Sequence, residues 1–495
     1  MTTNISRRKV LASSLIFPVT AGFSTLSRAA TKDGEEKRAG ETFDVIVLGA
    51  GPAGLTTAIT AKEQGAKKVV LFEKRDRPSG NSLFAIGGIC GWGSKVHLDA
   101  GIEDNRDKFL EMMLDVSQQK GDTELNRIYT DNISDGINWL VDDIGVKFNI
   151  MKGQPYPLLS RVLLVKGEGV TGGSELVKKL LEVAKTKGVE VRYEHAGIEL
   201  LHNDKMEVTG VRVQTPEGQK DFYSRGGVAI ATGGYSANPE MVCKYIGGWA
   251  TRLILRGSDS VTGSNVSLPM PLNAKFVNMD QFHCGPIIEQ THMNPANLLN
   301  SGYEVQVNSS GDRFMDECNT YVIKARKTGE STKDNMAFVV IDSSWPGIAR
   351  DIARYRRLNT TYGEGSTVEE AATAMGLPGK KISKVVDEYN SAVKNGTLNS
   401  MIPPCTYKDP HLISKAPFYV IPFQGGMTAT FGGPLINGKA EVINLDGKSI
   451  SGLYAVGNSG GGIFFYNYAG GAQLGAATVF GRIAGKEMAR RALAR

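Results

Sequence analysis

Six consecutive residues, Gly49-Ala50-Gly51-Pro52-Ala53-Gly54, constrain this chain more than any others. They stand between an apolar run, Phe43–Leu48, that reads as a strand, and Ala53–Gln64, which reads as a helix. Val69–Glu73 comes next as a second strand rich in branched residues, so the three segments make a βαβ unit. In such a unit the first glycine makes a tight turn and the second lets backbone approach a pyrophosphate. The third lets helix pack on strand. Phosphate oxygens then meet free N–H groups at the helix N-terminus, where the helix dipole favours negative charge. A lone glycine fingerprint says little. Here Glu73 closes the second strand, 24 residues after Gly49, where a carboxylate accepts hydrogen bonds from ribose hydroxyls.

The surroundings of the fingerprint favour FAD over NAD. Lys74 leads into Gly80, Asn81, Ser82, Gly87 and Gly88, a loop suited to lie along a pyrophosphate and a flavin ring. Ala231, Thr232 and Gly233 come after a later buried strand, and Gly457 and Asn458 after the strand-like Gly452–Val456. Ala196, Gln473 and Leu474 complete the expected cofactor-binding set. Glycine is abundant, 59 of 495 residues, and it clusters at these places instead of spreading as low complexity. Clustered glycine is what a chain needs where its backbone must approach a large ligand closely.

Length calls for more than one hydrophobic core. Residues 1–30 read as an export signal: Arg7-Arg8 opens a twin-arginine pattern, a short apolar stretch comes next, and small residues end it. Residues 31–41 read as a polar, flexible linker. Residues 42–262 are expected to form the first part of an α/β Rossmann-type FAD-binding domain, and 426–495 its second part. Between them, 263–425 is poorer in glycine and reads as an inserted α+β capping domain that faces the substrate. The formal charge of +6 includes Arg7, Arg8, Lys9 and Arg28 and no acid from the signal, which leaves +2 for the remainder. Nothing in that balance points to nucleic acid. No stretch is apolar for long enough to read as a membrane span. Five scattered cysteines without a CxxC pair argue against a metal site or covalent haem, so electrons exchanged with a respiratory chain would pass through a separate carrier, cytochrome or quinol-linked.

With these motifs in place, the chain from 43 to 493 resembles the fumarate reductase/succinate dehydrogenase flavoprotein family, in its soluble branch with a capping domain. The resemblance rests on Gly49–Gly54 with Glu73, Gly80–Gly88, Ala231–Gly234, Asn308–Glu317 and Gly452–Gly485. The ending Phe464–Gly471 is more similar to tricarballylate-dehydrogenase-like members. The resemblance implies hydride transfer between the flavin and a carbon beside an activating carbonyl or carboxylate. It also implies non-covalent FAD, because no histidine lies in Ser79–Gly88, where membrane-bound relatives attach it. Ungapped alignment on Arg313-Phe314-Met315-Asp316-Glu317 puts Tyr321 where the family has its proton-donating arginine. Tyr468 stands where the family has a carboxylate-clamping arginine, and Thr428–Gly433 replaces a histidine-bearing hinge. Gln281-Phe282-His283 keeps the family's Q-x-H, so His283 joins the two tyrosines as a candidate catalytic residue.

Loss of two arginines argues against a small dicarboxylate, which wants bidentate pairing. Tyrosines at both places are similar to the ketosteroid-dehydrogenase branch. Two enzymatic readings remain open: reduction of a non-fumarate enoate, aromatic acids included, or dehydrogenation of a ketosteroid-like or tricarboxylate substrate. A flavin electron carrier is the third reading. Phe464, Phe465 and Tyr466 either line the substrate site or pack the cap against the flavin lobe. Arg161, Arg252, Arg256, Lys324 and Arg326 are further basic candidates, each more often a surface ion-pair partner than a ligand.

Overall fold

Val45–Leu48, Val69–Phe72 and Val228–Ile230 are short apolar runs in which every side chain is buried. Strands apolar on both faces belong inside a parallel sheet covered by helices. In the computed structural model they form the middle of a six-stranded sheet. Its order is Glu441–Ile443, Ser449–Ala455, Val228–Ile230, Val45–Leu48, Val69–Phe72, Glu190–Arg192. All neighbours run parallel except the outermost pair, Glu441–Ile443 with Ser449–Ala455. The structure describes residues 40–495 apart from Pro155 and Asn300, so the export reading of residues 1–30 lies outside the described residues.

The fingerprint helix, Pro52–Glu63, packs on this sheet and against the C-terminal helix Ala472–Leu493. The two helices approach closely because Gly481 and Gly485 lie directly on the carbonyls of Ala53 and Thr57. One sequence expectation is corrected in detail. Phe43–Leu48 is not one strand. Its first residue closes Glu41–Phe43, which pairs with Gly218–Ser224, while Val45–Leu48 enters the main sheet. The change of sheet falls at Asp44, whose carboxylate accepts from the Lys67 and Lys68 N–H groups at 2.7 and 2.9 Å. Two helices, Arg106–Val116 and Thr123–Asp142, are separated by a turn in which Gln118 and Gln119 have φ of 54° and 57°. A strand not foreseen, Ala196–His202, joins Val208–Thr215 and Gly218–Ser224 in an antiparallel sheet.

The second lobe is organised by one long strand, Phe418–Thr430. Ala337–Asp342 pairs with it antiparallel, and Glu304–Asn308 lies beyond. Side chains alternate between two cores, as the pleat requires. Val305, Val307, Phe338, Val340 and Val420 meet the helices Val368–Ala374 and Gly379–Asn395. Val339, Ile341, Tyr419, Ile421 and Phe423 meet Ile348–Arg357 on the opposite face. Both cores are separate from that of the nucleotide-binding lobe. The long strand runs unbroken through position 425, so it carries the chain from one lobe towards the other. No helix among the described residues is long and apolar enough to cross a membrane. All five cysteines are unpaired.

Candidate active site

The fingerprint turn has the geometry its glycines predict. Gly49 adopts φ +109°, which an L side chain rarely adopts, and a Cβ there would sit 2.5 Å from the Ala231 carbonyl. A Cβ on Gly54 would strike the Gly49 carbonyl, whereas one on Gly51 would meet nothing within 4 Å. That open space lies at the start of Pro52–Glu63, a helix with glycine at its N-cap, no capping side chain and no acid in its first turn. A helix start left uncapped in this way suits an anion. Glu73 is buried and already accepts three hydrogen bonds, from Ala50 N–H at 3.0 Å, Arg75 N–H at 3.0 Å and Ser79 Oγ at 2.9 Å. A carboxylate offers about four acceptor positions, so capacity for a ribose hydroxyl remains. Ala196 begins the strand just after His195, whose ring stacks on Phe72 at 5.6 Å.

The other expected cofactor residues converge on the same lobe. Asn81 donates to the Thr428 carbonyl at 2.6 Å and accepts from Ser258 N–H at 2.8 Å, tying the Gly80–Gly88 loop to the long strand. Lys74 Nζ donates to Thr262 Oγ1 at 2.9 Å, and burial pulls its ammonium below the usual lysine range. Gly233 N–H donates to Ser459 Oγ at 2.9 Å, which joins the loop after Val228–Ile230 to the loop after Ser449–Ala455. Asn458 Nδ2 donates to Gln473 Oε1 at 2.9 Å, and Leu474 beside it is buried. Gln473 Nε2 and Thr232 Oγ1 are buried without a hydrogen-bond partner. Gly471, at the start of Ala472–Leu493, is packed on Gly88 and Cys90 backbone. An open helix start, a ribose-ready carboxylate and unpartnered buried donors together fit a flavin dinucleotide.

On the second lobe's side, Phe282–Ile287 pairs antiparallel with Phe418–Thr430, and its register shifts between His283 and Cys284. His283 faces Ala429 and Cys284 faces Met427, so Thr428 is the extra residue of a bulge. Bulges re-aim side chains, and this one sits beside the candidate histidine. His283 is buried, its Nδ1 has no partner, and its ring meets Tyr468 edge-on at 4.9 Å. Burial, aided by the Arg256 charge, lowers its pKa to about 3, so the ring is neutral. The Tyr468 phenol is pushed up by burial and by nearby Tyr321, and Arg256 acts in the opposite sense. The Tyr321 phenol is also raised by burial and eased by Arg256. Tyr468 further touches Phe431 and Phe464 at 6.0 and 5.9 Å between ring centres.

Tyr321 is the first residue of the helix Tyr321–Ser331, which packs on both strands. Just upstream, Arg313 and Glu317 form a buried bidentate pair at 2.7 and 2.6 Å, and Arg313 also donates to the Pro403 carbonyl at 2.8 Å. This anchor explains why the Arg313–Glu317 motif sets the register of Tyr321. Sequence reading missed Gln281 as an organiser. Its side-chain oxygen accepts from Tyr466 N–H at 3.1 Å, and its backbone carbonyl accepts from Phe431 N–H at 2.8 Å. It thereby holds Tyr466 at φ 60°, with Arg326 stacked 4.9 Å over that ring. Phe464 packs in the ring cluster, while Phe465 lies apart under Lys120. Arg161 and Lys324 are buried partners of Asp104 and Glu304, and Arg326 pairs with Glu330.

Residues 44–474 match the family model described as an FAD binding domain. "Probable fumarate reductase Ifc3" of Shewanella frigidimarina is 29% identical over 92% of this chain and 76% of its own length. Urocanate reductase of Eggerthella lenta is 27% identical, covering 90% and 74%. The solved open conformation of a flavocytochrome c3 fumarate reductase superposes with a TM-score of 0.78 at 28% identity, covering 92% of this chain and 79% of that one. The fold is thus an FAD-binding α/β domain with a capping domain. The chain belongs to the FAD binding domain family, as an FAD-dependent oxidoreductase acting on CH–CH bonds or the corresponding C=C bonds.

Proposed function

We propose that this enzyme is a reductase of an enoate other than fumarate, fed by a separate cytochrome or quinol-linked carrier. The fingerprint turn Gly49–Gly54 and Glu73 would hold FAD, which would supply the hydride chemistry when bound. The chain's own part is to orient the substrate, hold its carbonyl oxygen and deliver a proton. Tyr321, a half-buried phenol raised above the usual range, stays protonated at neutral pH and is the proposed proton donor. Tyr468 is proposed to donate a hydrogen bond to the substrate's carbonyl or carboxylate oxygen, with neutral His283 set against its ring. The observation that carries this reading is the edge-on contact of His283 with Tyr468 at the bulge joining the long strand to Phe282–Ile287, with Tyr321 opening the helix that packs on both strands. The likeness to a urocanate reductase supports an unsaturated acid with a ring.

Domain limits near 42–262, 263–425 and 426–495, and non-covalent attachment of FAD, belong to the same proposal. So does twin-arginine export to the periplasm, supported by Arg7-Arg8 and by the apolar stretch and small residues that complete the signal pattern. Lysine at both arginine positions should hold active enzyme in the cytoplasmic fraction. The reading is tested by reducing the holoenzyme with viologen dye without oxygen and offering a panel of enoates. Reoxidation of the flavin by at least one acid is expected. If no enoate reoxidises it while a saturated ketone bleaches the oxidised flavin, the enzyme is a dehydrogenase.

A further inference from the structure

Arginines near an active site are usually neutralised. Around this one Arg326 pairs with Glu330 at 2.8 Å, Lys324 with Glu304 at 2.9 Å, and Arg252 donates to the Gly329 and Thr332 carbonyls. Arg256 differs. Its Nη1 donates to Thr428 Oγ1 at 2.8 Å, and no carboxylate among the described residues lies within ion-pair distance. The side chain is nonetheless held in a formed slot. A Cβ on Gly285 would fall 2.6 Å from its Nη1 and 2.8 Å from its Cζ, so the guanidinium lies against bare backbone. A Cβ on Gly426 would come 3.1 Å from the Arg256 Cβ. Two glycines on two paired strands thus leave room for this one side chain, and the bulge residue Thr428 fixes its angle.

The Arg256 guanidinium lies against Gly285 and on Thr428, the bulge residue beside the position that faces His283, and the His283 ring meets Tyr468 edge-on, so Arg256 stands at the bulge that carries the candidate histidine. A guanidinium has five donors in a planar fork. One is used here, and enough remain to grip a carboxylate with two parallel hydrogen bonds. Half-burial of a cation without its anion is costly unless an anion arrives.

Resting on the enoate reading, we propose that Arg256 binds the substrate's carboxylate and makes this enzyme specific for unsaturated monocarboxylates. The positive charge enters from the segment Ile254–Gly257, not from the cap helix or the C-terminal loop that carry tyrosines here. A single arginine fits one carboxylate, and the ring cluster of Phe431, Phe464 and Tyr468 fits an apolar body beyond it.

The test compares acrylate, cinnamate and urocanate with their methyl esters on dye-reduced holoenzyme, for wild type, Arg256→Met, Arg256→Lys and Gly285→Ala. Wild type should prefer each acid that it turns over to its ester. Arg256→Met should raise KM for the acid by about 10- to 100-fold, the worth of one charge-assisted pair, with a much smaller change in kcat and in ester turnover. Arg256→Lys should recover part of the loss. Gly285→Ala, which keeps the arginine but crowds its slot, should move KM in the same direction as Arg256→Met. Difference spectra of the oxidised flavin on titration with the acid report binding without turnover and should weaken in parallel. The proposal is overturned if wild type uses ester as well as acid, if Arg256→Met slows both equally, or if that variant loses FAD. Should no acid reoxidise wild type, the enoate reading falls and this one with it; acids and esters turned over alike sink this one alone.

Discussion

Tyr321 carries the heaviest burden of any single residue in the proposed chemistry. Its phenol has no ordinary reason to ionise: burial raises it, and only the Arg256 charge pulls the other way. A protonated phenol can give up its proton to a developing carbanion as general acid and regain one from solvent after turnover. Tyr321→Phe should therefore lower kcat by about 10²–10⁴-fold, with FAD content and circular dichroism unchanged, as read by stopped-flow reoxidation of the reduced flavin. An electron carrier would pass electrons to dye in that variant as before. His283 makes a prediction of a different kind. Its pKa lies near 3 when folded against about 6.5 when unfolded, so below pH ~6.5 the unfolded chain takes up the proton first. The stability tied to its neutral ring is complete above that pH and drains away as pH falls towards 3. Melting temperatures between pH 6.5 and 4 should fall less steeply for His283→Gln than for wild type. Tyr321 was singled out in the sequence by the fixed motif Arg313–Glu317, and Tyr468 by its place in the C-terminal segment Phe464–Gly471. Arg256 was legible only as a basic residue, since a missing partner has no sequence signal.

At the scale of elements, legibility went with locality. The strand–turn–helix–strand at 45–72 was readable because each device in it acts over a few residues: a positive-φ glycine, a proline at the helix start, branched residues in the strands. Asp44 marks where local reading ended, because its carboxylate is satisfied by the distant Lys67 and Lys68 and no alternation of residues shows that. The long strand Phe418–Thr430 was hidden for two reasons. Gln424-Gly425-Gly426 interrupts its apolar run and looks like a joint. Yet those glycines are needed where Ala325 and the Arg256 side chain press on the backbone. Its pairing also spans residues 254 to 430, and separation of that order carries no periodic trace. The bulge at Thr428 was invisible for the same reason, although it determines where His283 and Arg256 stand relative to one another.

For the molecule as a whole, the proposed cofactor site draws on segments near 49, 73, 80, 196, 232, 457 and 473, all in or bordering the first lobe. The second lobe has two cores of its own that share no residue with the first. The two lobes should therefore respond differently to FAD. A ligand that binds only the folded state stabilises it by RT ln(1 + [L]/Kd), about 2.7 kcal/mol at a hundredfold excess over Kd. In the apoprotein the first lobe also bears the cost of Gln473 Nε2 and Thr232 Oγ1, polar groups buried without partners. Calorimetry of apoprotein across rising FAD should show a transition that climbs with the logarithm of FAD concentration, matched by recovery of bound-flavin absorbance. Melting of the second lobe should shift less, and the two transitions should draw apart as FAD rises. A single transition that moves as one would mean that Phe418–Thr430, running from one lobe towards the other, couples them more strongly than their separate cores imply. Tyr321, on the second lobe's helix, would then be held against the flavin by that strand, and substitutions in it would alter turnover and FAD retention together.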